Sequence, residues 1–374
     1  MTAITLLIII AAILLAFANG ANDNSKGVAT LVGSRTMDMK PAIIYASIAT
    51  MLGSIAAIFL AGVLLKQFSG KGIVDKQLVI SEFFPAAVGM AAAITVLLAT
   101  FIGMPISTTH SLVGAIIGVG FAANELIWAK VLTKFFVPLL ASPIIALVLA
   151  AIVYLFFRTM RRRLGVTHQT CVCIDQQYEP VSVTAEGAMV VQATGITVHE
   201  DQVEHCREQY GGHIASIEAQ RVLNWSHITT AGLLSFARGL NDTPKIAAVM
   251  IAAGGLAATT SVSIVAVGVF IMIGGLIAVR RVARTMSYRI TEMNDGQAFS
   301  ANLVAATLVT LATVGFGVPV STTHTSCGSL FGIGLINRQA HWKVIGQVVA
   351  AWVTTLPVAA MLGWLMWQVL SSGQ

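Results

Sequence analysis

Long apolar runs separated by short polar breaks dominate the chain. They cover roughly residues 2–34, 41–65, 83–121, 127–157, 222–256, 258–279, 297–336 and 344–370. A membrane-crossing helix needs about 20 apolar residues. Runs of this length therefore predict helices that span a bilayer rather than strands or amphipathic surface helices. The alternating ten-residue segments of an outer-membrane barrel are missing. The expected fold class is an all-α polytopic membrane protein. The runs 83–121 and 297–336 are each interrupted by a proline inside a polar cluster, Pro105 and Pro319. Each is read as a re-entrant helical hairpin that returns to the side from which it entered.

One stretch departs from the pattern. It opens with Arg158, Arg161, Arg162 and Arg163, and residues 165–220 hold eight of the sixteen acidic residues. Short β-like runs (CVCI, VSVTA, AMVVQA, ITVHE) lie within it. The expected organisation is a membrane repeat over 1–157, a small soluble insertion over 158–221 and a second membrane repeat over 222–374. Cys171, Cys173 and Cys206 fall in the insertion and Cys327 in the second repeat. A set of His168, Cys171, Cys173, His205 and Cys206 matches no usual zinc spacing, and the insertion is placed in the cytoplasm, where thiols stay reduced, so reduced, unligated thiols are expected and no metal or cofactor.

Composition narrows the classes further. Hydrophobic residues make up 56% of the 374 and charged residues 10%, against about 25% charged in soluble domains. Mean hydropathy is +0.83. An ordinary soluble enzyme, a disordered chain and a disulfide scaffold are excluded. The net charge of +6 could suggest nucleic acid, but the basic residues cluster at the ends of apolar runs, as the positive-inside rule requires. The opening MTAITLLIII has no basic segment before it and reads as a first span, not a cleaved leader.

The two halves resemble each other. Residues 103–120 read GMPISTTHSLVGAIIGVG and residues 317–334 read GVPVSTTHTSCGSLFGIG, with nine of eighteen positions identical at an offset of 214. An earlier pair is GANDNSKG at 20–27 and GLNDTPKI at 239–246. If the Arg35–Lys40 loop is cytoplasmic, the first half crosses three times, and the second half must run upside down. Fourteen Lys and Arg then lie in the cytoplasm, five outside (Lys66, Lys71, Lys76, Lys130, Lys134) and three within the membrane. That bias supports an inverted repeat, both termini outside and the insertion inside.

The chemistry concentrates at the duplicated motifs. Ser107-Thr108-Thr109 and Ser321-Thr322-Thr323 follow the prolines and begin new helices. Capping accounts for one hydroxyl per helix, not for three at apolar depth in both halves. A half-helix N-terminus offers amides and a positive dipole end to an anion. Asp23, Lys26, Arg238, Asp242 and Lys245 lie inside apolar runs, where charges usually serve a site. Asp23–Lys26 and Asp242–Lys245 also read as local i,i+3 pairs. Gly20 and Pro244 are expected to interrupt their helices. Arg238 reads either as a site residue or as a helix-end anchor. His110 and His324 could carry protons or tie the tips to neighbouring helices.

These residues resemble the inorganic phosphate transporter (Pit) family, which pairs a GAND-type motif with a G-x-P-x-S-T-T-H hairpin in each half. The resemblance covers roughly 1–157 and 222–370 and leaves out the insertion. It implies a multi-pass transporter of the plasma (inner) membrane, an inverted repeat with broken helices, and usually a homodimer. It also implies a central phosphate site formed by Ser107, Thr108, Thr109, Ser321, Thr322 and Thr323. Asn22, Asp23, Asn241 and Asp242 would meet the phosphate or the coupling cation, H⁺ or Na⁺. Sodium-coupled relatives commonly read G-A-N-D-x-x-N. Here the second Asn is replaced by Lys26 and Lys245, and an ammonium has no lone pair for sodium. The expectation is a sodium-independent carrier, with protons as coupling ion and Asp23, Asp242, His110 and His324 as candidate proton carriers. A sodium symporter, a sulfate carrier and a metal–phosphate carrier remain alternatives. Carboxylates beside the site favour protonated phosphate, or its mimic arsenate, over sulfate. The rival classes are an intramembrane Ser/His hydrolase, an anion channel and a transporter-like sensor.

Overall fold

The computed structural model of the chain describes residues 2–60, 62–68, 73–183, 189–202, 213–251 and 260–372. Lys71, His205 and Cys206 lie outside the described residues. Two compact units are present. One comprises Met1–Tyr154 with His227–Gln374, the other Leu155–Ser226.

The larger unit is helical. Among the described residues, seven helical stretches are long and apolar enough to cross a membrane: Ala3–Gly33, Met39–Leu60, Phe83–Ile102, Val137–Arg163, Thr260–Ala278, Asp295–Gly315 and Trp342–Ser371. In a bilayer the backbone must satisfy its own polar groups, so these apolar sequences become helices. The large side chains Phe59, Phe101, Ile144 and Val353 point outward and exposed, a surface suited to lipid. The interior is lined by small residues such as Ala11, Ala12, Ala86, Ala91 and Ala92, which let helices approach closely where no hydrophobic effect drives them together.

Both duplicated motifs sit on interior helices. The first helix runs Ala3–Asp23, breaks at Asn24 and resumes at Ser25–Gly33. The matching helix runs unbroken over Ala219–Ile251 with Pro244 inside it. Two expectations therefore change. Gly20 does not interrupt its helix; a Cβ there would stand 1.9 Å from the carbonyl oxygen of Ile271, so its role is close helix contact. Gly239 has the same role, 2.1 Å from the Thr50 oxygen. Pro244 does not end its helix either; it lies inside it, between the buried Thr243 and Lys245.

The sequence expected as hairpins forms two helix–turn–helix pairs. Phe83–Ile102 is closed by Gly103 in the left-handed conformation, φ +80°, and the chain restarts as Thr108–Ala122 with Ser107 as N-cap. The second pair runs Asp295–Thr310, a π-helical turn Leu311–Gly315, Gly317 at φ +58°, then Thr322–Asn337 with Ser321 as N-cap. Within each pair the two helices pack together. A π turn adds one residue to a helix, so the halves shift by one residue upstream of it.

The smaller unit contains an antiparallel sheet of β1 (Thr170–Val183), β2 (Met189–Gln202) and β3 (His213–Glu218) in the order β2-β1-β3. The pairing of Cys173 with His199 and Ser216 sets its register. Cys171 is a free, buried thiol, whereas Cys173 is disulfide-bonded, which corrects the expectation of reduced thiols throughout. Among the described residues no group of three metal-ligating side chains occurs.

Candidate substrate site

Four polar segments, distant in sequence, meet inside the larger unit. Asp23, Lys26, Asp242, Lys245 and Arg238 are each at most 2% exposed. Such charges persist only when paired and hydrogen-bonded. Lys26 Nζ lies 2.6 Å from Asp23 Oδ1, and Lys245 Nζ lies 3.2 Å from Asp242 Oδ1. Both are i,i+3 pairs, so helical spacing alone brings the partners to one face.

The hairpin tips close on these pairs in matching fashion. The Thr108 hydroxyl donates to Asp23 Oδ2 at 3.2 Å, and the Thr322 hydroxyl donates to Asp242 Oδ2 at 3.2 Å. The lysines cross over. Lys26 Nζ donates to Thr322 Oγ1 of the second tip at 3.0 Å, and Lys245 Nζ donates to Thr109 Oγ1 of the first at 2.9 Å. Thr323 joins the tips directly, donating to the Ile106 carbonyl at 2.7 Å. Ser107 and Ser321 do otherwise: each Oγ accepts the backbone N–H of His110 or His324 at 3.1 Å. They are the caps, and the paired threonines are free to face the charges.

Asn22 and Asn241 hold the tips rather than the charges alone. Asn22 Nδ2 donates to Thr100 Oγ1 and to the Met104 carbonyl, each at 3.0 Å, while its Oδ1 accepts from Ile106 N. Asn241 Oδ1 accepts from Thr313 at 3.0 Å, and its Nδ2 donates to Asp242 and the Val320 carbonyl. Thr100 and Thr313 thus play one part, at an offset of 213 where the tips have 214. The π turn accounts for the extra residue.

Three further residues complete the site: Arg238, already a candidate, Asn24 of the first motif, and Asn19, which lies just before that motif. Asn19 Nδ2 contacts Asp23 Oδ2 at 3.0 Å, Thr108 Oγ1 at 3.0 Å and Asp242 Oδ2 at 3.5 Å, and so bridges both carboxylates. Arg238 donates to Asn19 Oδ1, Asn24 Oδ1 and Thr50 Oγ1 at 3.2, 3.1 and 2.7 Å. It is therefore no helix-end anchor. Asn24, at the helix break, also donates to Ser47. The signal for Asn19 was its i,i+4 spacing to Asp23. Arg238 occupies the matching position in the second motif, and the two matched residues touch.

The histidines sit behind the tips. Their rings lie 4.4 Å apart, centroid to centroid, and the Trp352 ring lies 4.0 Å from that of His324. His324 Nδ1 is 3.2 Å from the Leu139 carbonyl. His110 Nδ1 and His324 Nε2 have no hydrogen-bond partner among the described residues.

Three formal cations thus face two formal anions in one buried cluster, with the N-termini of two helices pointing into it. The surplus positive charge, the threonine hydroxyls and the helix dipoles suit a small anion. The sequence profile of the phosphate transporter family matches residues 19–363. The chain belongs to the phosphate transporter family. A probable low-affinity inorganic phosphate transporter of Rhizobium meliloti is 28% identical, over 92% of this chain and 90% of its own. One of Mycobacterium tuberculosis is 26% identical, over 96% of this chain and 75% of its own. Among solved structures, one described as the sodium-dependent phosphate transporter superposes with a TM-score of 0.74 at 21% identity, covering 99% of this chain and 100% of that chain. The transporter is thus a multi-pass helical membrane protein. Its family is one of transporters and not of enzymes, which removes the hydrolase reading of Ser107 and His110.

Proposed function

We propose that this transporter moves inorganic phosphate by alternating access, without sodium and with protons as the coupling ion. The observation that carries the reading is the placement of the two ammonium groups. Lys26 and Lys245 lie against the Asp23 and Asp242 carboxylates, where a metal cation would otherwise bind, and an ammonium repels sodium while attracting an oxyanion. A phosphate between the tips would accept from Lys26, Lys245 and the threonines 108, 109, 322 and 323. Its own proton would donate to an aspartate, a bond that sulfate cannot make at neutral pH. Ser107 and Ser321 would orient the helix amides, with Asn22 and Asn241 holding the tips at the right depth. Asp23, Asp242, His110 and His324 are the groups available to carry protons.

The architecture we propose is an inverted pair of repeats, 1–157 and 222–374, each with a re-entrant hairpin and three crossings. Contacts between matched residues support it, since Asn19 meets Arg238 and His110 meets His324, as expected beside a twofold axis. Both termini then face outward and the insertion 158–221 lies in the cytoplasm of a cell whose plasma membrane holds the protein, where the Cys173 disulfide would be open to reduction, with a homodimer as the assembled form.

The test is uptake of labelled phosphate into proteoliposomes in sodium-free buffer with an inward proton gradient. Uptake blocked by arsenate and not by sulfate is expected. Lys26→Asn with Lys245→Asn should lower uptake at least tenfold or make it sodium-dependent. Uptake that appears in the wild type only when sodium is added would overturn the proposed coupling and favour the sodium dependence for which the structural neighbour is named.

A further inference from the structure

The matched lysines have unmatched surroundings. Beyond Lys26 runs a crevice lined by Thr30, Asn302, Ser326 and Met286, with small and aliphatic residues completing its walls. Asn302 Nδ2 donates to Thr30 Oγ1 across it at 2.7 Å. Ser326 is 5% exposed, and its Oγ has no hydrogen-bond partner among the described residues. Leaving a buried hydroxyl unpaired is costly, so its place in the wall points to a ligand or water that passes there. In this structure the crevice is too narrow for a water molecule.

The corresponding positions beside Lys245 follow from the motif offsets. Thr30 corresponds to Val249 at the first-motif offset of 219, and Ser326 to Leu112 at the tip offset of 214. Asn302 lies upstream of the π turn, so at the offset of 213 it corresponds to Gly89. The geometry agrees. A Cβ on Gly89 would stand 2.9 Å from Val249 Cγ1, so Gly89 faces Val249 as Asn302 faces Thr30. Three polar wall residues on one side are thus replaced by valine, leucine and glycine on the other. Val249 and Leu112 are buried in one apolar core with Phe68 and Phe135.

We infer that the crevice beside Lys26 is the passage by which an oxyanion moves between the central site and the Arg280–Arg289 side, with Asn302 and Ser326 as wall ligands and the Thr30–Asn302 bond as its latch. Met286, in the lining, belongs to the π-helical turn Thr285–Arg289, which places the basic segment Arg280, Arg281, Arg284 and Arg289 at that end. Positive charge at the mouth of a polar passage concentrates anions there. Parting the latch exchanges one protein hydrogen bond for bonds to water or phosphate, whereas the matched path can open only by wetting valine and leucine. The inference rests on the proposed phosphate reading for the identity of the cargo, not for the existence of the passage.

The test labels thiols placed at the two matched walls. Ser326→Cys is made in a Cys327→Ala background, and Leu112→Cys in the same background. Both are exposed in proteoliposomes, first without phosphate, to a small cationic methanethiosulfonate, and modification is read by mass at the introduced thiol. Ser326→Cys should react at least tenfold faster than Leu112→Cys, and added phosphate should slow it. Equal reaction at the two thiols would overturn the passage whatever the cargo is. Fast, phosphate-insensitive labelling of Ser326→Cys would overturn its use by the oxyanion. A wild type that carries no phosphate would sink the functional reading and leave the labelling contrast to stand by itself. The paired variant Thr30→Val with Asn302→Val should lower phosphate uptake at least tenfold, and unchanged uptake would count against the latch.

Discussion

Lys26 and Lys245 occupy the same position in duplicated motifs, yet they look out on opposite kinds of surroundings. Lys245 Nζ lies 5.5 Å from the centroid of the Phe68 ring, which meets Phe135 edge-on at 5.5 Å. Beyond it the wall is apolar. Lys26 looks onto Thr30, Asn302 and Ser326. Wetting a buried Val or Leu costs about 1.5–3 kcal/mol per side chain, while trading an internal hydrogen bond for one to water is worth only about 0.5–1.5 kcal/mol. Duplication therefore gives the central site near-symmetric chemistry, and later divergence of a few wall residues makes the two exits unequal. Under the proposed alternating access, the cargo is held alike from both sides, but the two gates need not cost the same to open.

The comparison breaks most sharply if the centre itself is unequal. Asp23→Asn and Asp242→Asn each strand a buried lysine, and breaking a buried pair costs about 3–5 kcal/mol. Uptake should fall to background in both. Asp23→Asn is expected to lower the thermal unfolding temperature in detergent more than Asp242→Asn, because Asp23 has the shorter ion pair, 2.6 against 3.2 Å, while the other donors are matched, Asn19 and Thr108 for Asp23 and Asn241 and Thr322 for Asp242. If either variant keeps both the stability and the uptake of the wild type, the paired-charge account of the site is wrong.

Arg238 offers a sharper cut, since it belongs to one half only. Its counterpart is Asn19, and the two touch. Arg238→Met keeps much of the volume and removes the charge and the bonds to Asn19, Asn24 and Thr50. With Asn19 released, the bridge between the carboxylates loosens, and the cluster loses its surplus of positive charge. Phosphate affinity, read by uptake against concentration, should weaken about tenfold, which corresponds to about 1.4 kcal/mol. Arg238→Lys should recover only part, because a point charge cannot reach three acceptors in the planar geometry of a guanidinium. Equal affinity in Arg238→Met and wild type would reduce Arg238 to a packing residue.

How far these features could be read from sequence differs by kind. The apolar runs marked the helices, and the Asn-Asp and Ser-Thr-Thr-His clusters stood out because polar residues at membrane depth need a reason. Asn19, Thr50, Thr100 and Thr313 stood in no such cluster. Each is a single polar side chain in a helical run, and its partner lies across the fold, as with Asn22 and Thr100. Gly20 was misread as a breaker because glycine has two uses, and only the 1.9 Å approach of Ile271 shows which one applies. The π turn at Leu311–Gly315 hid the true match of Asn302, since a fixed offset pairs it with Val88, one residue from the Gly89 that the geometry selects. Disagreement between the two walls became legible only once that shift was known.

The smallest expected difference lies at the paired histidines, whose rings are tilted 48° to each other, and where the halves differ by one bond. His324 Nδ1 reaches the Leu139 carbonyl at 3.2 Å, while His110 Nδ1 has no partner among the described residues. Losing an ordinary hydrogen bond costs about 1 kcal/mol, so His324→Gln should lower the thermal unfolding temperature slightly and His110→Gln less. Uptake driven by a proton gradient separates structure from transport at this pair. If the rings only brace the tips, both variants keep proton-driven uptake within about twofold, a change of about 0.4 kcal/mol, and the coupling proton belongs to Asp23 or Asp242. If instead either variant still exchanges phosphate at equilibrium but no longer accumulates it against a gradient, the proton passes through the imidazoles. The histidine pair would then be a place where the two halves act as a single group, and the inequality between the two exits would stop at the centre.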